Sequence, residues 1–169
     1  MMKKMMFLRS LVMLGLTITF MSCSSEDTNQ VETPTSKIAL RTYAHSDFEL
    51  ELLDLVNQDR ASKGLNTLTI INEISYVAST HDDYMISKGG ISHDNFQDRV
   101  ESLKSGLGAI TVSENIASGF NTPASTLAAW NASPSHKANL EGTTHTHYGL
   151  SVKADAIGKK YYTLLFIRK

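Results

Sequence analysis

The segment that most constrains the fold is the last apolar run of the chain, residues 161–167, which reads YYTLLFI. Alternate side chains of a strand point to opposite faces, and in this run both faces are apolar. One face carries Tyr161, Leu165 and Ile167, and the other carries Tyr162, Leu164 and Phe166. A strand with two apolar faces must be covered on both sides. The sequence therefore predicts a sheet that lies between two layers of helices.

Two further segments have the pattern of strands. Residues 148–152 form a run that a short turn segment joins to the last strand, as in a hairpin. Val112, Glu114 and Ile116 alternate with polar or small neighbours, which places Glu114 on the same side as two apolar residues. A half-buried carboxylate needs a partner or a shifted pKa, so Glu114 is a candidate site residue.

Three helices are predicted before these strands. The first begins at Ser46, which has the spacing of a capping box with Glu49, and it ends at Gly64. The second begins at Asn72 and carries His81 on its apolar face. A histidine on such a face is better interpreted as a core or cleft-edge residue than as a ligand.

A short third helix is predicted after Asp94, which has the spacing of a capping box with Gln97. Gly106 and Gly108 end this helix. His93 lies immediately before the predicted cap, so its imidazole is placed at a defined helix start.

A second histidine occupies a helix start later in the chain. Ser133 is the predicted N-cap of this helix and Pro134 suits its first position, so His136 falls in the first turn. The positive end of the helix dipole disfavours a protonated imidazole there. The neutral form, which accepts a proton or binds a metal, is therefore favoured, although a neutral histidine can also serve packing alone.

The beginning of the chain is typical of a bacterial lipoprotein signal. Lys3, Lys4 and Arg9 precede an uncharged apolar run, residues 11–21, and Cys23 follows it. The apolar run is too short for a comfortable transmembrane helix. We expect cleavage before Cys23 and lipidation of its thiol, since several acyl chains on one residue anchor a protein firmly.

The chain is therefore divided into a signal peptide over residues 1–22, a flexible tether over 23–45 and a domain over 46–169. Removal of the signal peptide takes three cations away and moves the formal charge from −1 to −4. Nucleic acid is not an expected partner, because no basic stripe is available for phosphate. The single cysteine excludes an intrachain disulfide and a cysteine-based zinc cluster.

Three titratable residues with defined local settings remain as candidates: His93, Glu114 and His136. The chain contains no phosphate-binding loop motif, HExxH or GxSxG. Two imidazoles and a carboxylate in one cleft could bind a divalent cation, form an acid–base pair or hold water for a ligand. His145 and His147 would share a face of an extended segment and could suit a metal, but a solvated loop that enters a strand is the favoured interpretation.

Six segments of the chain form an ordered set of motifs. They read LLDLVNQDRASKGLNTL, ASTHDDYMISKGGISHDNFQDRV, SENIASG, AAWNASPSHKANL, HYGLSV and YYTLLF. In this order they resemble bacterial members of the CAP superfamily, which comprises cysteine-rich secretory, antigen 5 and pathogenesis-related 1 proteins and whose domain is also called the SCP domain. The resemblance extends from Asp47 to Phe166.

The resemblance implies an α+β fold, a three-layer α-β-α sandwich with a small, mainly antiparallel central sheet and a central cleft. His93 matches the histidine of the family's Ser-His motif, Glu114 the glutamate of its Gly-Glu-Asn-Ile motif, and His136 the histidine of its Ser-Pro-Gly-His motif. These residues line the family's cleft, and in some members the two histidines bind zinc or another divalent cation.

The chain also departs from the family pattern. Ser113 and Ser135 stand where the family usually has glycine. The second glutamate of the animal and plant cleft has no clear match, which weakens the case for a metal or for catalysis. The disulfides of secreted animal members are absent, so packing alone must stabilise the core.

Three classes of function stay open on the sequence. The preferred one is a lipid-anchored extracytoplasmic module whose cleft binds a small ligand, a divalent cation or an envelope component without turning it over. The second is a metal-dependent, protease-like hydrolase in which His93 and His136 hold the metal and Glu114 is base or ligand. The third is a structural envelope domain in which the three residues form a buried hydrogen-bonded network.

The expected surroundings of the protein follow from the same features. The membrane is a partner through the lipid on Cys23, and a lipid, cell-wall or small-molecule ligand is expected in the cleft. We expect a monomer in the cell envelope, facing outside the cytoplasm. No cofactor is expected to be required, and zinc or another divalent cation is the metal that His93 and His136 would take.

Overall fold

The structure is a computed structural model that describes residues 40–169. The predicted signal peptide, Cys23 and the part of the predicted tether before residue 40 lie outside the described residues. The elements are α1 (Asp47–Ser62), β1 (Thr69–Ile70), α2 (Asn72–Lys88), α3 (Phe96–Leu107), β2 (Thr111–Ser118), α4 (Pro123–Ala132), α5 (Pro134–Leu140), β3 (His147–Ala154) and β4 (Lys160–Arg168). No helix among residues 40–169 combines the length and apolar character that a membrane span requires.

The four strands form one sheet in the order β1-β3-β4-β2. β4 pairs antiparallel with both β3 and β2, so the predicted hairpin and the mainly antiparallel sheet are confirmed. β1 pairs parallel with β3 through Thr69 and Ile70. It was not among the predicted strands, because two residues are too few to show an alternating pattern. β2 lies at one edge of the sheet, and its position brings Glu114 to that edge.

Helices cover both faces of β4, as its two apolar faces require. On one side, α1, α4 and α5 pack on the sheet through a core that includes Leu52, Val56, Trp130, Leu140, Tyr162, Leu164 and Phe166. On the other side, α2 and α3 pack through Ile74, Val77, Leu103, Leu107, Leu165 and Ile167. The α+β class and the three-layer sandwich are confirmed.

The predicted capping box is present at the start of α1 but absent at the start of α3. The Ser46 and Glu49 capping box is present at α1. At α3 the capping box of Asp94 and Gln97 does not form: the N-cap is Asn95, in the left-handed region with φ 57° and without a side-chain cap. The Asp94 carboxylate instead contacts Lys88 of α2, so a tertiary ion pair prevails over the local cap.

An N-terminal strap, residues 41–45, runs in extended form before α1. Its alternate side chains meet polar groups of the domain. Arg41 forms an ion pair with the buried carboxylate of Glu73 and donates its backbone N–H to Glu73 Oε2 at 2.7 Å. Tyr43 donates to Glu49 Oε1 at 2.5 Å, and His45 Nε2 lies 2.8 Å from the buried Ser75 hydroxyl. The C-terminal end of the predicted tether is thus attached to the helices.

Candidate functional site

The candidate site is built around the carboxylate of Glu114, which β2 buries to 5% exposure. The buried guanidinium of Arg99 binds it in a bidentate manner, with Nε 2.6 Å from Oε2 and Nη2 2.7 Å from Oε1. His93 Nδ1 lies 2.8 Å from the same Oε1. Charge-assisted contacts of this kind are short and strong, and they fix the position of the carboxylate. The predicted need of Glu114 for a partner is therefore confirmed, and the main partner is Arg99.

This arrangement fixes the ring of His93. An ionised carboxylate only accepts hydrogen bonds, so His93 Nδ1 carries the proton that it shares with Glu114. In the neutral ring the lone pair is then on Nε2, at a side chain that is 54% exposed. Both oxygens of Glu114 accept hydrogen bonds, and Oε1 contacts the His93 ring.

Arg99 was not among the predicted site residues, although the sequence carried a signal for it. It lies on the first turn of α3, three residues after Phe96 and four before Leu103. These are positions of one helix face, so Arg99 is a cation on the apolar stripe of the helix. A buried cation needs a buried anion, and Glu114 was the candidate with the complementary need.

His136 lies in the first turn of α5, as predicted, with Ser133 at the N-cap position but without a side-chain cap. Two amides attach this short helix to β2. Asn115 Nδ2 donates to the His136 carbonyl at 3.0 Å, and Asn139 Nδ2 donates to the Glu114 carbonyl at 3.0 Å. Burial and the nearby charge of His93 lower the pKa of His136. The neutral imidazole predicted for His136 is thus favoured by two causes additional to the helix dipole.

The structure brings His93 and Glu114 into contact and places His136 on the neighbouring helix. A cavity of about 310 Å³ opens along the edge of β2 and is lined by His93, Phe96, Val112, Ser113, Glu114 and Asn139. Within residues 40–169, the His136 imidazole has no hydrogen bond to either of the other two predicted site residues. We call this cavity the cleft. His136 lies on α5, the helix that carries Asn139, but it is not one of the residues that line the cavity.

The donor set of the cleft does not fit a catalytic zinc site. Such sites use three protein ligands and leave one position open. The residues that the structure describes contain no group of three or more His, Cys, Asp or Glu side chains able to hold a metal ion. His93 and His136 supply at most two imidazoles, and both oxygens of Glu114 are committed to Arg99 and His93.

The structure confirms the interpretation of His81 and corrects that of His145. His81 is buried, as predicted for a core histidine, and its Nε2 lies 2.7 Å from the Ser92 carbonyl. The solvated loop predicted for His145 is wrong, because this ring is 8% exposed and stacks on Phe166 with centroids 5.2 Å apart. His145 packs against Phe166 of β4, whereas His147 begins β3 and its Nδ1 lies 2.8 Å from Thr146 Oγ1.

The edge of β2 is closed by side chains. Its Glu114 carbonyl accepts from Asn139, and its Ile116 carbonyl accepts from the indole Nε1 of Trp130 at 3.1 Å. Gly119 N–H donates to the Lys160 carbonyl of β4. Since hydrogen-bonded residues alternate along an antiparallel strand, the even-numbered main-chain groups of β2 face away from β4.

Comparisons with known proteins agree with this fold, and the matched residues include His93, Glu114 and His136. The family model described as "CAP: Cysteine-rich secretory protein family" matches residues 53–166. The protein YkwD of Bacillus subtilis, named as uncharacterized, is 31% identical over 108 residues, which cover 62% of this chain and 42% of YkwD. The chain thus matches less than half of that relative.

Solved structures show the same architecture. An extracellular protein of Bacillus anthracis that contains an SCP domain superposes with a TM-score of 0.64 at 29% identity, over 72% of this chain and 40% of that chain. An outer surface protein of Borrelia burgdorferi superposes with a TM-score of 0.68 at 21% identity, over 78% of this chain and 99% of that chain. The second likeness concerns the fold alone. Because the family model covers most of the domain and the fold agrees with it, the chain belongs to the cysteine-rich secretory protein (CAP) family.

Proposed function

We propose that the protein is a lipid-anchored, extracytoplasmic CAP-domain protein whose cleft binds a small polar component of the cell envelope. Two relatives by fold, from Bacillus anthracis and Borrelia burgdorferi, are named as extracellular and outer surface proteins. The segment before Cys23 has the composition of a lipoprotein signal. Both features support a position on the outer side of a membrane.

The observation that carries the proposal is the Arg99–Glu114–His93 arrangement. Arg99 neutralises the buried carboxylate, so Glu114 holds the His93 ring without adding net charge to the cleft. His93 Nε2 then offers a fixed acceptor to a ligand hydroxyl or amide N–H. Preorganised acceptors of this kind reduce the entropy that a ligand loses on binding.

The walls of the cleft define the ligand class further. Phe96 and Val112 provide apolar contact beside the polar His93, Ser113 and Asn139. Pockets that bind small molecules combine apolar walls with a few placed polar groups, and their volumes begin at about 300 Å³. A saccharide or short peptide of the cell wall has the mixture of hydroxyl, amide and apolar groups that this surface requires.

The metal-dependent hydrolase receives less support from the same residues. It would need Glu114 as a base or ligand, and Arg99 and His93 occupy that carboxylate. For ligand binding, Glu114 needs only to orient the His93 ring, and its contact with His93 Nδ1 is sufficient for this.

The test is a titration of the full chain in detergent with soluble disaccharide–peptide fragments of peptidoglycan, followed by ¹H–¹⁵N correlation of the histidine rings. We expect the His93 Nε2 resonance to move and His147, at the start of β3, to stay. The variant His93→Gln should bind at least tenfold more weakly, which corresponds to about 1.4 kcal/mol for one lost hydrogen bond. His147→Gln is the matched control and should bind as the wild type does.

Two outcomes would contradict the proposal. One is equal affinity of His93→Gln and the wild type for the fragments, with no movement of the His93 resonance. The other is tight binding of zinc chloride that the fragments cannot displace and that both His93→Gln and His136→Gln abolish, since this would favour the metal-holding cleft.

A further inference from the structure

The cleft contains a serine–histidine contact that the proposed function does not use. Ser113 is half-buried and lines the cavity, and its Oγ lies 3.3 Å from His145 Nε2. His145 is nine-tenths buried on the sheet beneath Ser113. A serine at the surface of a cavity, backed by a histidine, is the arrangement in which a hydroxyl can be activated as a nucleophile.

The ring of His145 is held in one orientation by its surroundings. Phe166 stacks on it with an interplanar angle of 16°. Gly142 packs so closely that a Cβ added there would lie 2.2 Å from His145 Nε2, the atom that contacts Ser113. A side chain at position 142 would therefore push Nε2 away from the serine. The glycine allows the close approach that places the histidine.

Buried polar contacts hold Gly142 and His145 in turn. Arg60, fully buried on α1, donates to the Leu140 carbonyl at 2.6 Å and to the Gly142 carbonyl at 3.1 Å. Asn66 Nδ2 donates to the His145 carbonyl at 2.9 Å. These contacts fix the main chain at Gly142 and His145, which carries the ring.

The electrostatics keep His145 in the form that accepts a proton. Burial and the nearby Arg60 charge lower its pKa, against an opposing contribution from the Asn139 backbone. The main-chain N–H of Glu114, the residue after Ser113, lies on the edge of β2 that faces away from β4, and Ser113 and Glu114 both line the cavity. This N–H can donate to an oxyanion that forms on a group bound to Ser113.

We propose that Ser113 is a reactive serine, activated by His145, that takes the acyl group of a small carboxylic ester. Ser113 Oγ attacks the carbonyl carbon and its proton passes to His145 Nε2. The bond from that carbon to the alcohol oxygen breaks, and the alcohol leaves with this proton. Water then cleaves the acyl-serine, releasing the carboxylic acid and restoring the hydroxyl. Phe96 and Val112 line the same cavity and suit a short acyl chain.

The test treats the folded full chain with a fluorophosphonate probe, which forms a bond to the oxygen of an activated serine and releases fluoride. Intact mass and peptide mapping then locate the adduct. We expect one adduct, on Ser113, and its loss in Ser113→Ala. His145→Gln should slow labelling at least tenfold.

A second variant tests whether the position of His145 Nε2, and not only the presence of the histidine, activates Ser113. Gly142→Ala retains both Ser113 and His145 but displaces Nε2, so we expect it also to slow labelling at least tenfold. Gly90→Ala is the matched control, because a Cβ there meets nothing within 4 Å, and its labelling rate should equal that of the wild type. Thermal unfolding followed by circular dichroism verifies that each variant is folded.

An unlabelled Ser113 in the folded wild type would overturn the inference, as would labelling at an unchanged rate in a folded His145→Gln or Gly142→Ala variant. Peptide mapping of the wild type decides the matter even where a variant does not fold. The readout is a covalent adduct on Ser113, whereas the ligand-binding proposal is judged on His93, so the two can fail independently.

Discussion

At the scale of single residues, the buried ion pair between Arg99 and Glu114 explains how a carboxylate is tolerated among apolar side chains. Both partners are less than 10% exposed, and each is hydrogen-bonded by the other. Arg99 Nη1 also donates to the Asp94 carbonyl at 2.8 Å, which ties the pair to the start of α3. A buried pair of this kind adds little net stability, but removal of one partner leaves an uncompensated charge.

The variant Arg99→Met is therefore expected to lower the free energy of unfolding by about 3–5 kcal/mol. The double variant Arg99→Met/Glu114→Leu should recover most of this loss, because it removes the stranded carboxylate as well. Urea unfolding can be followed by the fluorescence of Trp130, which is the only tryptophan of the chain and is 1% exposed.

Lys104→Met is the control for this experiment. Lys104 lies on the same helix, but its ion pair with Glu101 is long, at 3.8 Å, and solvent-exposed, so the change should stay within about 0.5 kcal/mol. A loss in Arg99→Met no larger than that of the control would contradict the role given to the pair.

At the scale of elements, the N-terminal strap shows that the segment before α1 is attached by side chains rather than by secondary structure. Arg41, Tyr43 and His45 contact the domain, and the intervening Thr42 and Ala44 are exposed. Arg41 also places its guanidinium 4.3 Å from the centre of the Tyr76 ring. Side chains alternate along an extended chain, so every second side chain of the strap contacts a polar group of the domain.

The variant Arg41→Ala is expected to lower the free energy of unfolding by about 1–3 kcal/mol at neutral pH, because Glu73, which is 4% exposed, loses its cation. Burial raises the pKa of Glu73, but the hydrogen bonds and charge of Arg41 outweigh burial and hold the pKa below the ordinary 4.5. Because the pKa of Glu73 is lower in the folded protein than in the unfolded chain, the ionised carboxylate stabilises the fold at pH values above 4.5. This stabilisation is lost as the pH falls through the pKa of Glu73 in the folded protein.

The difference between Arg41→Ala and the wild type should therefore narrow as the pH is lowered below about 4.5, where Glu73 becomes protonated. Urea unfolding at a series of pH values measures this difference. Thr42→Ala, at an outward position of the strap, should match the wild type throughout. A difference that is constant from neutral to acid pH would show that Arg41 acts through packing on Tyr76 alone.

The elements that the sequence predicts are those whose information is local. Local patterns predict three of these elements: the alternation around Glu114 predicts β2, the helical spacing after Ser46 predicts α1, and the apolar run of residues 161–167 predicts β4. The two apolar faces of β4 also predict the helix layers that cover it. What could not be predicted depends on contacts between elements. The pairing of Arg99 with Glu114 and the burial of His145 under Ser113 join residues that no local pattern relates.

Some local signals were also overruled by the fold. Asp94 and Gln97 have the spacing of a capping box, yet Lys88 and Tyr84 of α2 bind the Asp94 carboxylate. The carboxylate that would have served as the cap is thus held by side chains of α2, and Asn95 takes the N-cap position instead. A local motif is thus reliable only where no charged partner from another element reaches it.

At the scale of the whole molecule, the proposed function depends on how the domain is held at a membrane. The proposed anchor is Cys23, which lies before the described residues, and within residues 40–169 the strap contacts the domain through Arg41, Tyr43 and His45. Without residues 1–22 the chain carries a formal charge of −4, obtained from −1 by removal of Lys3, Lys4 and Arg9. A negative domain is not drawn to anionic lipid by charge, so the lipid would supply the attachment.

The variant Cys23→Ala, expressed in a bacterial host, is therefore expected to move from the membrane fraction to the soluble fraction, and the wild type should incorporate labelled fatty acid. Ser25→Ala, two residues later, keeps the cysteine and serves as the control that should stay with the membrane. Unchanged membrane association of Cys23→Ala would refute lipid anchoring without affecting the assignment of the cleft.

The closed edge of β2 has a consequence for crowded molecules. An open edge strand is a template to which a strand of another molecule can add. On β2 the indole of Trp130 and the amide of Asn139 already satisfy two outward carbonyls, and both side chains belong to helices packed on the sheet. Copies concentrated in the plane of a membrane would have to unpack α4 and α5 before their sheets could join. The capped edge therefore disfavours sheet extension on the β2 side of the domain at the surface where its local concentration would be highest.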